Sequence, residues 1–353
     1  MSKGVVDVVV LGRGIAGAVL TETLLRAGHS VHVFDRKQEG NASMAAGGVV
    51  NPLVLRRDIP SWRAKELLPV ADALYTSWQS RSGVRCWHHL PMVKVFPTAK
   101  EVDQWQRAMT APESAPFATL QAEQEVDDGP FNAPHGYGTV RGSAWLDVPA
   151  LLAAQHEELL DAGALSEQLV EEQDIRVGAD GVCVGAVEAR WLVRCQGPFT
   201  SPHGLVPVKG ETLVVRIPGL VLTRMVHRGV FILPMGEDRF RVGATFQWND
   251  VFEGPTEAGR TWLLERLTQL VDAPVEVLSH TAGVRPAARD RRPLLGITGP
   301  GEALFNGLGS RGVLLAPWCA EHLVSHLFHG TALDPEVQWD RVLPDASDGR
   351  TKE

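Results

Sequence analysis

The spacing of apolar positions changes period several times along this chain, and each change marks an element. Residues 6–11, VDVVVL, are a continuous β-rich run; AGAVLTETLLRAG then repeats its apolar residues at helical spacing and is closed by Gly28, and SVHVFD returns to strand alternation. Together these make a β-α-β unit about 30 residues long. Amphipathic helices are predicted over 60–82, 148–163 and 256–271. A last helix, PWCAEHLVSHLFHG, has Pro317 in its first turn and Gly330 past its end. Residues 85–145 read as strand and loop, 174–196 as two or three strands with a glycine turn, and 209–248 as a long β meander turning at IPG and MGED. Strand–helix alternation at both ends of a β-rich middle predicts an α/β fold, with one domain made of discontinuous pieces and a second inserted into it.

Length agrees with two domains, because a single core stops growing near roughly 250–300 residues and this chain has 353. A net charge of −8 counts against broad affinity for nucleic acid or anionic membranes, while leaving a local basic patch open. The apolar run near the N-terminus carries Asp7 and Arg13, is broken by glycines and is too short for a bilayer, so neither a membrane helix nor a signal peptide is expected, and the location read from this is cytoplasmic. Cys86, Cys183, Cys195 and Cys319 are scattered without a C-x-x-C pair, which fits reduced thiols. His322 and His326 lie four apart beside Glu321 and Cys319, but the glutamate is not in the H-E-x-x-H position, so they read as ordinary helix surface and no metal site is expected. His88 and His89 are read as structural.

The most informative motif is LGRGIAG, with Gly12, Gly14 and Gly17 between a strand and a helix, Ile15 and Ala16 inside the turn, and Asp35 closing the next strand 18 residues beyond Gly17. The first glycine makes the tight turn, the second admits a pyrophosphate to the backbone, the third lets helix approach strand, and amides at the helix start hold the phosphate. Asp35 can accept hydrogen bonds from both hydroxyls of an adenosine ribose, and its charge disfavours a 2′-phosphate and hence NADP. The motif does not separate FAD from NAD. Arg13, an unusual occupant of its slot, is read as pointing outward. Two further small-residue loops, ASMAAGGVVNP (Ser43, Met44, Ala45, Ala46, Gly47, Gly48) and GLGSRG (Gly307, Gly309, Ser310, Arg311, Gly312), would let backbone approach a flat ring system. The stretch GVRPAARDRRPLLG sets Arg285, Arg289, Arg291 and Arg292 around Asp290. Phosphate patch, ion-pair cluster and carboxylate site are all open on that pattern.

Taken in order, DVVVLGRGIAGAVL, VHVFDR, NASMAAGG, CQGP, RVGAT, GVRPAARDRRPLLG and NGLGSRGVLLAPWCAEHLVSHLFHG resemble the D-amino-acid-oxidase-like flavoprotein family, which contains glycine oxidase, sarcosine oxidase and the oxidase domain of a tRNA wobble-uridine-modifying enzyme. The resemblance covers nearly the whole chain. It implies a Rossmann-like FAD-binding domain from residues 1–60, 146–204 and 278–353, and an inserted α+β substrate-binding domain from 61–145 and 205–277 with a mostly antiparallel sheet. FAD is the implied cofactor, its adenosine held by the Gly12–Gly17 turn and Asp35, with Arg36 and Gly197 as further contacts and the 43–48 and 307–312 loops at the flavin. Arg285 stands where the family binds a substrate carboxylate, and Arg311 or the Ser310–Gly312 amides serve the flavin pyrimidine. Arg241 stands where some relatives keep an oxygen-promoting lysine, and Phe246 and Trp248 line the pocket.

The implied reaction oxidises a C–N bond of a small amino acid or N-substituted glycine by hydride transfer to flavin. The imine is then hydrolysed, and oxygen or another acceptor takes the electrons. Two departures stand out: Asp35 where the family more often has Glu, and the missing methyltransferase domain of many tRNA enzymes. The alternatives are a wobble-uridine oxidase that removes a carboxymethyl group from tRNA, and a flavin-binding protein without turnover. With Arg285 assigned to substrate, Arg289, Arg291 and Arg292 read as a turn with local ion pairs to Asp290.

Overall fold

The computed structural model describes residues 4–36, 39–120, 131–178, 181–199 and 204–343. Part of the expected strand-and-loop region, 121–130, lies outside them. The chain divides into two compact units, one of Met1–Gln38, Gln155–Val208 and Arg285–Glu353, the other of Glu39–Ala154 and Lys209–Val284.

The first unit is built on a largely parallel sheet. Strand Gly4–Leu11 pairs in parallel with Val31–Asp35 on one side and Val187–Arg194 on the other, and Leu165–Glu167 extends the sheet beyond Val31–Asp35. The far edge of Val187–Arg194 is shared. Its first half pairs antiparallel with Val182–Val184, and its second half pairs in parallel with Glu302–Asn306, which carries Leu294–Gly299 antiparallel. Val8, Val9 and Val10 are fully buried, as a continuous apolar run in a parallel sheet should be. Helices Ile15–Arg26 and Gly312–His329 pack on each other. Gly28 (φ +85°) closes the first as expected, with the N–H of His29 reaching Leu24 O at 3.0 Å.

Two helix expectations change. The last helix starts at Gly312, so Pro317 lies inside it; the buried run Val313–Ala316 extends the apolar stripe a turn earlier than the proline signal suggested. A helix also spans Ala99–Thr110, inside the region read as strand and loop. Its stripe is narrow: only Trp105 and Ala108 are buried, with Val102 and Met109 packed alongside, and Trp105 Nε1 donates to Thr119 O at 3.1 Å.

The second unit holds most of a mixed, mainly antiparallel sheet ordered Glu276–Ala288, Leu205–Arg216, Arg239–Gly243, Val230–Gly236, Met225–Arg228, Met92–Val95, Tyr137–Val140, Ala118–Leu120, with residues 205–208 and 285–288 of its first two strands counted in the first unit. Met225–Arg228 against Met92–Val95 is a parallel pair within it. Alternation covers both faces: Val93, Val226 and Ile232 join the cluster under helix Glu257–Thr268 with Leu263 and Leu267, whereas Met92, Met225 and Leu233 join the cluster with Trp105 and Phe96. Residues 39–60, 146–154 and 278–284, assigned from the sequence to the cofactor domain, group with this unit, and 205–208, assigned to the substrate domain, group with the first. For 39–60 and 146–154 the cause is strand pairing, since Val49–Val50 pairs with Ala144–Leu146, which pairs with Trp87–His88.

On the parallel pair, His227 lies beside Lys94, whose Nζ is 2.7 Å from Asp58 Oδ2. Burial, helped by the Lys94 charge, pushes the His227 imidazole down to about 4. A depressed histidine binds its proton more tightly when unfolded, so stability is complete above its ordinary value near 6.5 and falls as pH drops towards 4. His227→Gln should therefore flatten the pH dependence of urea unfolding between those limits, where the wild type loses on the order of 2–3 kcal/mol.

Candidate active site

In the first unit the glycine turn has the geometry its spacing implied. Gly12 has φ +91°, its N–H donates to Phe34 O at 2.8 Å, and a Cβ there would lie 2.9 Å from Cys195 O. A Cβ on Gly17 would collide with the carbonyl oxygen of Gly12 and come within 3.3 Å of Cys195 Cβ. Strand end, turn and helix are thus in backbone contact. Cys195, two residues before Gly197, is the buried floor, and burial pushes its thiol far up, leaving an inert filler. Gly14 caps the helix start with no side chain donating or accepting there, and Ile15, Ala16 and Gly17 open the first turn.

Asp35 ends the second strand and accepts the Arg13 N–H on Oδ1 at 2.9 Å. Burial pushes its carboxyl up, while the Arg13 N–H and then the Arg13 charge pull it back. Arg13 does not point outward. Its side chain is only 12% exposed, with Nε 4.0 Å from Asp35 Oδ2, and Nη2 lies 3.1 Å from His156 Nδ1. Arg36, next along, is exposed.

The 307–312 loop belongs to the same unit. Leu308 leads into a tight turn, Gly309–Arg311, with Ser310 exposed, and then the helix starting at Gly312; no side chain caps either start. A Cβ on Gly312 would lie 2.8 Å from Ile15 Cγ2, so the first residues of the two helices adjoin. Two uncapped helix starts and an acid at a strand end are what a dinucleotide pyrophosphate and ribose require. Buried Asn306, which the sequence reading passed over, fastens this region: its Nδ2 donates to Gly197 O at 2.8 Å and its Oδ1 accepts the Gly307 N–H at 2.9 Å. Its only signal was a buried-strand amide placed directly before a glycine loop.

Arg285 is half-buried, on a segment where Ala287 forms an antiparallel bridge with Leu308 and Pro286 lies near Gly197. Burial pushes its guanidinium down to about 10. Of the other arginines, Arg292 keeps the expected local interaction with Asp290, but the main partner of that carboxylate is distant. Arg341, from the far end of the chain, grips Asp290 through Nε at 2.9 Å and Nη2 at 3.1 Å; Arg292 donates its backbone N–H to Asp290 at 3.0 Å and adds its charge nearby, with its Nε 3.4 Å from Glu336 Oε1, while Arg289 and Arg291 are exposed.

In the second unit the 41–48 loop is clamped by its carbonyls. Asn41 Oδ1 caps the Ser43 N–H at 2.8 Å, Thr212 Oγ1 donates to Ala45 O at 3.1 Å, Arg241 Nη1 donates to Ala46 O, and the Leu146 N–H donates to Gly48 O at 3.0 Å. Gly47 lies against the Phe231 ring, and Met44 is exposed. Burial lowers the pKa of Arg241, and Asp147 opposes it. Thr212 was not singled out from the sequence, because nothing local marks a strand threonine as a loop anchor. Phe246 (44% exposed) and Trp248 (60%) follow strand Arg239–Gly243 rather than lying in it, and their ring centroids are 5.5 Å apart.

His322 Nε2 accepts the Asp334 N–H at 2.9 Å, and His326 Nδ1 is 2.7 Å from Thr331 O, so both bind the chain leaving the helix. Among the described residues no group of three His, Cys, Asp or Glu side chains is placed to hold a metal ion. No described helix is long and apolar enough to cross a membrane.

Comparison with known proteins agrees with this geometry. The chain is 27% identical over 346 residues to the glycine oxidase of Geobacillus kaustophilus, covering 88% of this chain and 90% of that protein. It is 25% identical over 359 residues to the tRNA 5-methylaminomethyl-2-thiouridine biosynthesis bifunctional protein MnmC of Marinobacter nauticus, covering 92% of this chain but 56% of that protein, so it spans about half of such bifunctional relatives. The crystal structure of glycine oxidase from Geobacillus kaustophilus superposes with a TM-score of 0.76 at 26% identity, covering 94% of this chain and 97% of that one. The family model described as DAO, FAD dependent oxidoreductase, matches residues 7–326. The chain belongs to the DAO family of FAD-dependent oxidoreductases.

Proposed function

We propose that this oxidoreductase oxidises the C–N bond of a small amine bearing a carboxylate, glycine or an N-substituted glycine, with hydrolysis of the resulting imine and return of the electrons to oxygen. The observation that carries this reading is Arg285, a desolvated guanidinium on the segment beside Gly197 and Leu308. A planar fork of this kind binds a carboxylate through two parallel hydrogen bonds and fixes the α-carbon by doing so. FAD, when bound, supplies the hydride acceptor. In this reading the Gly12–Gly17 turn, Asp35, Arg36 and Gly197 would hold its adenosine diphosphate half; Gly309–Gly312 is the candidate flavin segment of the first unit, and Ser43–Gly48 that of the second. Arg311 or the Ser310–Gly312 amides would serve the flavin pyrimidine oxygen. Arg241 places the flavin loop through Ala46 O as well as adding positive charge, and Phe246 and Trp248 contribute apolar walls.

The test is anaerobic reduction of the purified yellow protein, followed by loss of flavin absorbance, with glycine, sarcosine, proline, D-amino acids and modified tRNA presented separately. Bleaching by glycine or sarcosine is the expected result. Bleaching by carboxymethylaminomethyl-modified tRNA alone would transfer the assignment to the reaction named for the bifunctional relatives, and no bleaching by any of them would leave a flavin-binding protein without this activity.

A further inference from the structure

The residue between the first two glycines of the turn reaches across the end of the sheet. We infer that Arg13, braced by His156, is a positioning residue for the adenosine half of the cofactor, acting through the Asp35 carboxylate. This rests on the assignment of Asp35 to the cofactor ribose made above.

The arrangement has four members, all in the first unit. Asp35 and Glu167 are directly paired positions on adjacent parallel strands, so two carboxylates lie side by side at the sheet's edge. Left alone, this pairing and the burial of Asp35 would both favour protonating it, and Glu167 does raise its pKa. A protonated or rotated Asp35 would accept one ribose hydroxyl poorly where two are needed. Arg13 supplies what opposes this: its N–H fixes Oδ1 at 2.9 Å, and its guanidinium stands 4.0 Å from Oδ2, near enough to hold the charge and far enough to leave that oxygen's lone pairs accessible. The guanidinium is kept in place from behind, with Nη2 at 3.1 Å from His156 Nδ1, while His156 Nε2 is 3.8 Å from Glu167 Oε1. Nδ1 can accept from Arg13 only in the neutral ring carrying its hydrogen on Nε2, and that hydrogen faces Glu167. Each of the two carboxylates thus has a cationic or N–H group turned towards it. A glycine or alanine at position 13 would keep the backbone bond to Asp35 and lose the rest.

The experiment measures flavin affinity of the apoprotein by quenching of flavin fluorescence, with FAD and with FMN, which lacks the adenosine. Arg13→Ala should weaken FAD binding about tenfold and leave FMN binding within about twofold, because the lost interaction is a charge-assisted one that only the adenosine half uses. Coupling is the second readout: in an Asp35→Asn background the same Arg13→Ala change should add less than about twofold. His156→Leu, which leaves the glycine turn untouched, should move FAD affinity in the same direction by about threefold, and it serves if the Arg13 variant does not fold. Equal losses for FAD and FMN, or a full tenfold loss retained in the Asp35→Asn background, would show a general effect on the turn and overturn the inference. So would FAD affinity unchanged in both Arg13→Ala and His156→Leu. A wild-type apoprotein that binds no FAD would instead overturn the cofactor assignment on which it rests.

Discussion

Arg285→Ala is expected to lower the rate of anaerobic flavin reduction per unit carboxylate substrate by about a thousandfold. Truncating one member of a desolvated, hydrogen-bonded charge pair costs about 2–5 kcal/mol, and near the upper half of that range the rate constant falls by three orders of magnitude. The loss should appear mainly as a rise in KM with a smaller fall in kcat, because the guanidinium binds the carboxylate in substrate and transition state alike while also fixing the α-carbon. Arg285→Lys keeps the charge and loses the fork, so it should recover part of the deficit and stop about tenfold short of wild type. Flavin content and Tm, measured alongside, separate loss of substrate binding from a disturbed fold, since Arg285→Lys keeps the charge in its desolvated position. Reduction of Arg285→Ala at the wild-type rate by the best carboxylate substrate would withdraw the anchor role.

Gly17→Ala is the second large effect, and it acts on the cofactor rather than the substrate. The added methyl meets the Gly12 carbonyl, a backbone atom held by the Gly12 N–H bond to Phe34 O and by contact with Cys195, so no side-chain rotation relieves it. Helix Ile15–Arg26 must move off the strand. Overpacking of this kind costs about 1–3 kcal/mol or more, enough to lower Tm by several degrees, and it displaces the helix-start amides that the proposed reading assigns to the pyrophosphate. The 450-to-280 nm absorbance ratio of the purified variant should fall to less than about a tenth of wild type. Gly28→Ala is the control. Gly28 also has a positive φ, +85°, but a Cβ there meets nothing within 4 Å, so it should cost only about 1 kcal/mol and keep its flavin. Normal flavin content in Gly17→Ala would mean that the turn does not carry the cofactor.

These two positions were legible in the sequence for different reasons. Gly17 was readable because its constraint is local: strand, turn and helix are consecutive, and the spacing of three glycines encodes their contact directly. Arg285 was singled out by a family resemblance, since four arginines in one stretch carry no internal sign of which one is desolvated. The same stretch shows where local reading stops. Asp290 looked self-sufficient among its neighbours, yet its main partner is Arg341, 51 residues on. Asn306 and Thr212 escaped notice because a side-chain bond to a distant carbonyl leaves no trace in periodicity. Arg13 was noticed as an oddity and misdirected, because its direction depends on His156, 143 residues away. Helix Ala99–Thr110 was missed since its stripe of Val102, Trp105 and Ala108 is one residue wide.

The order in which the parallel sheet is assembled has a consequence for how the protein is made. Val187–Arg194 receives Gly4–Leu11 along one edge and Glu302–Asn306 along part of the other, and the Gly312–His329 helix that adjoins the first turn follows that last strand. A ribosome must therefore deliver more than three hundred residues before the two helix starts can meet. Until then the early β-α-β segment has its glycines but not its second set of amides, and the central strand has an open edge liable to wrong pairing. If both helix starts hold the cofactor as proposed above, flavin capture waits for the second of them to emerge.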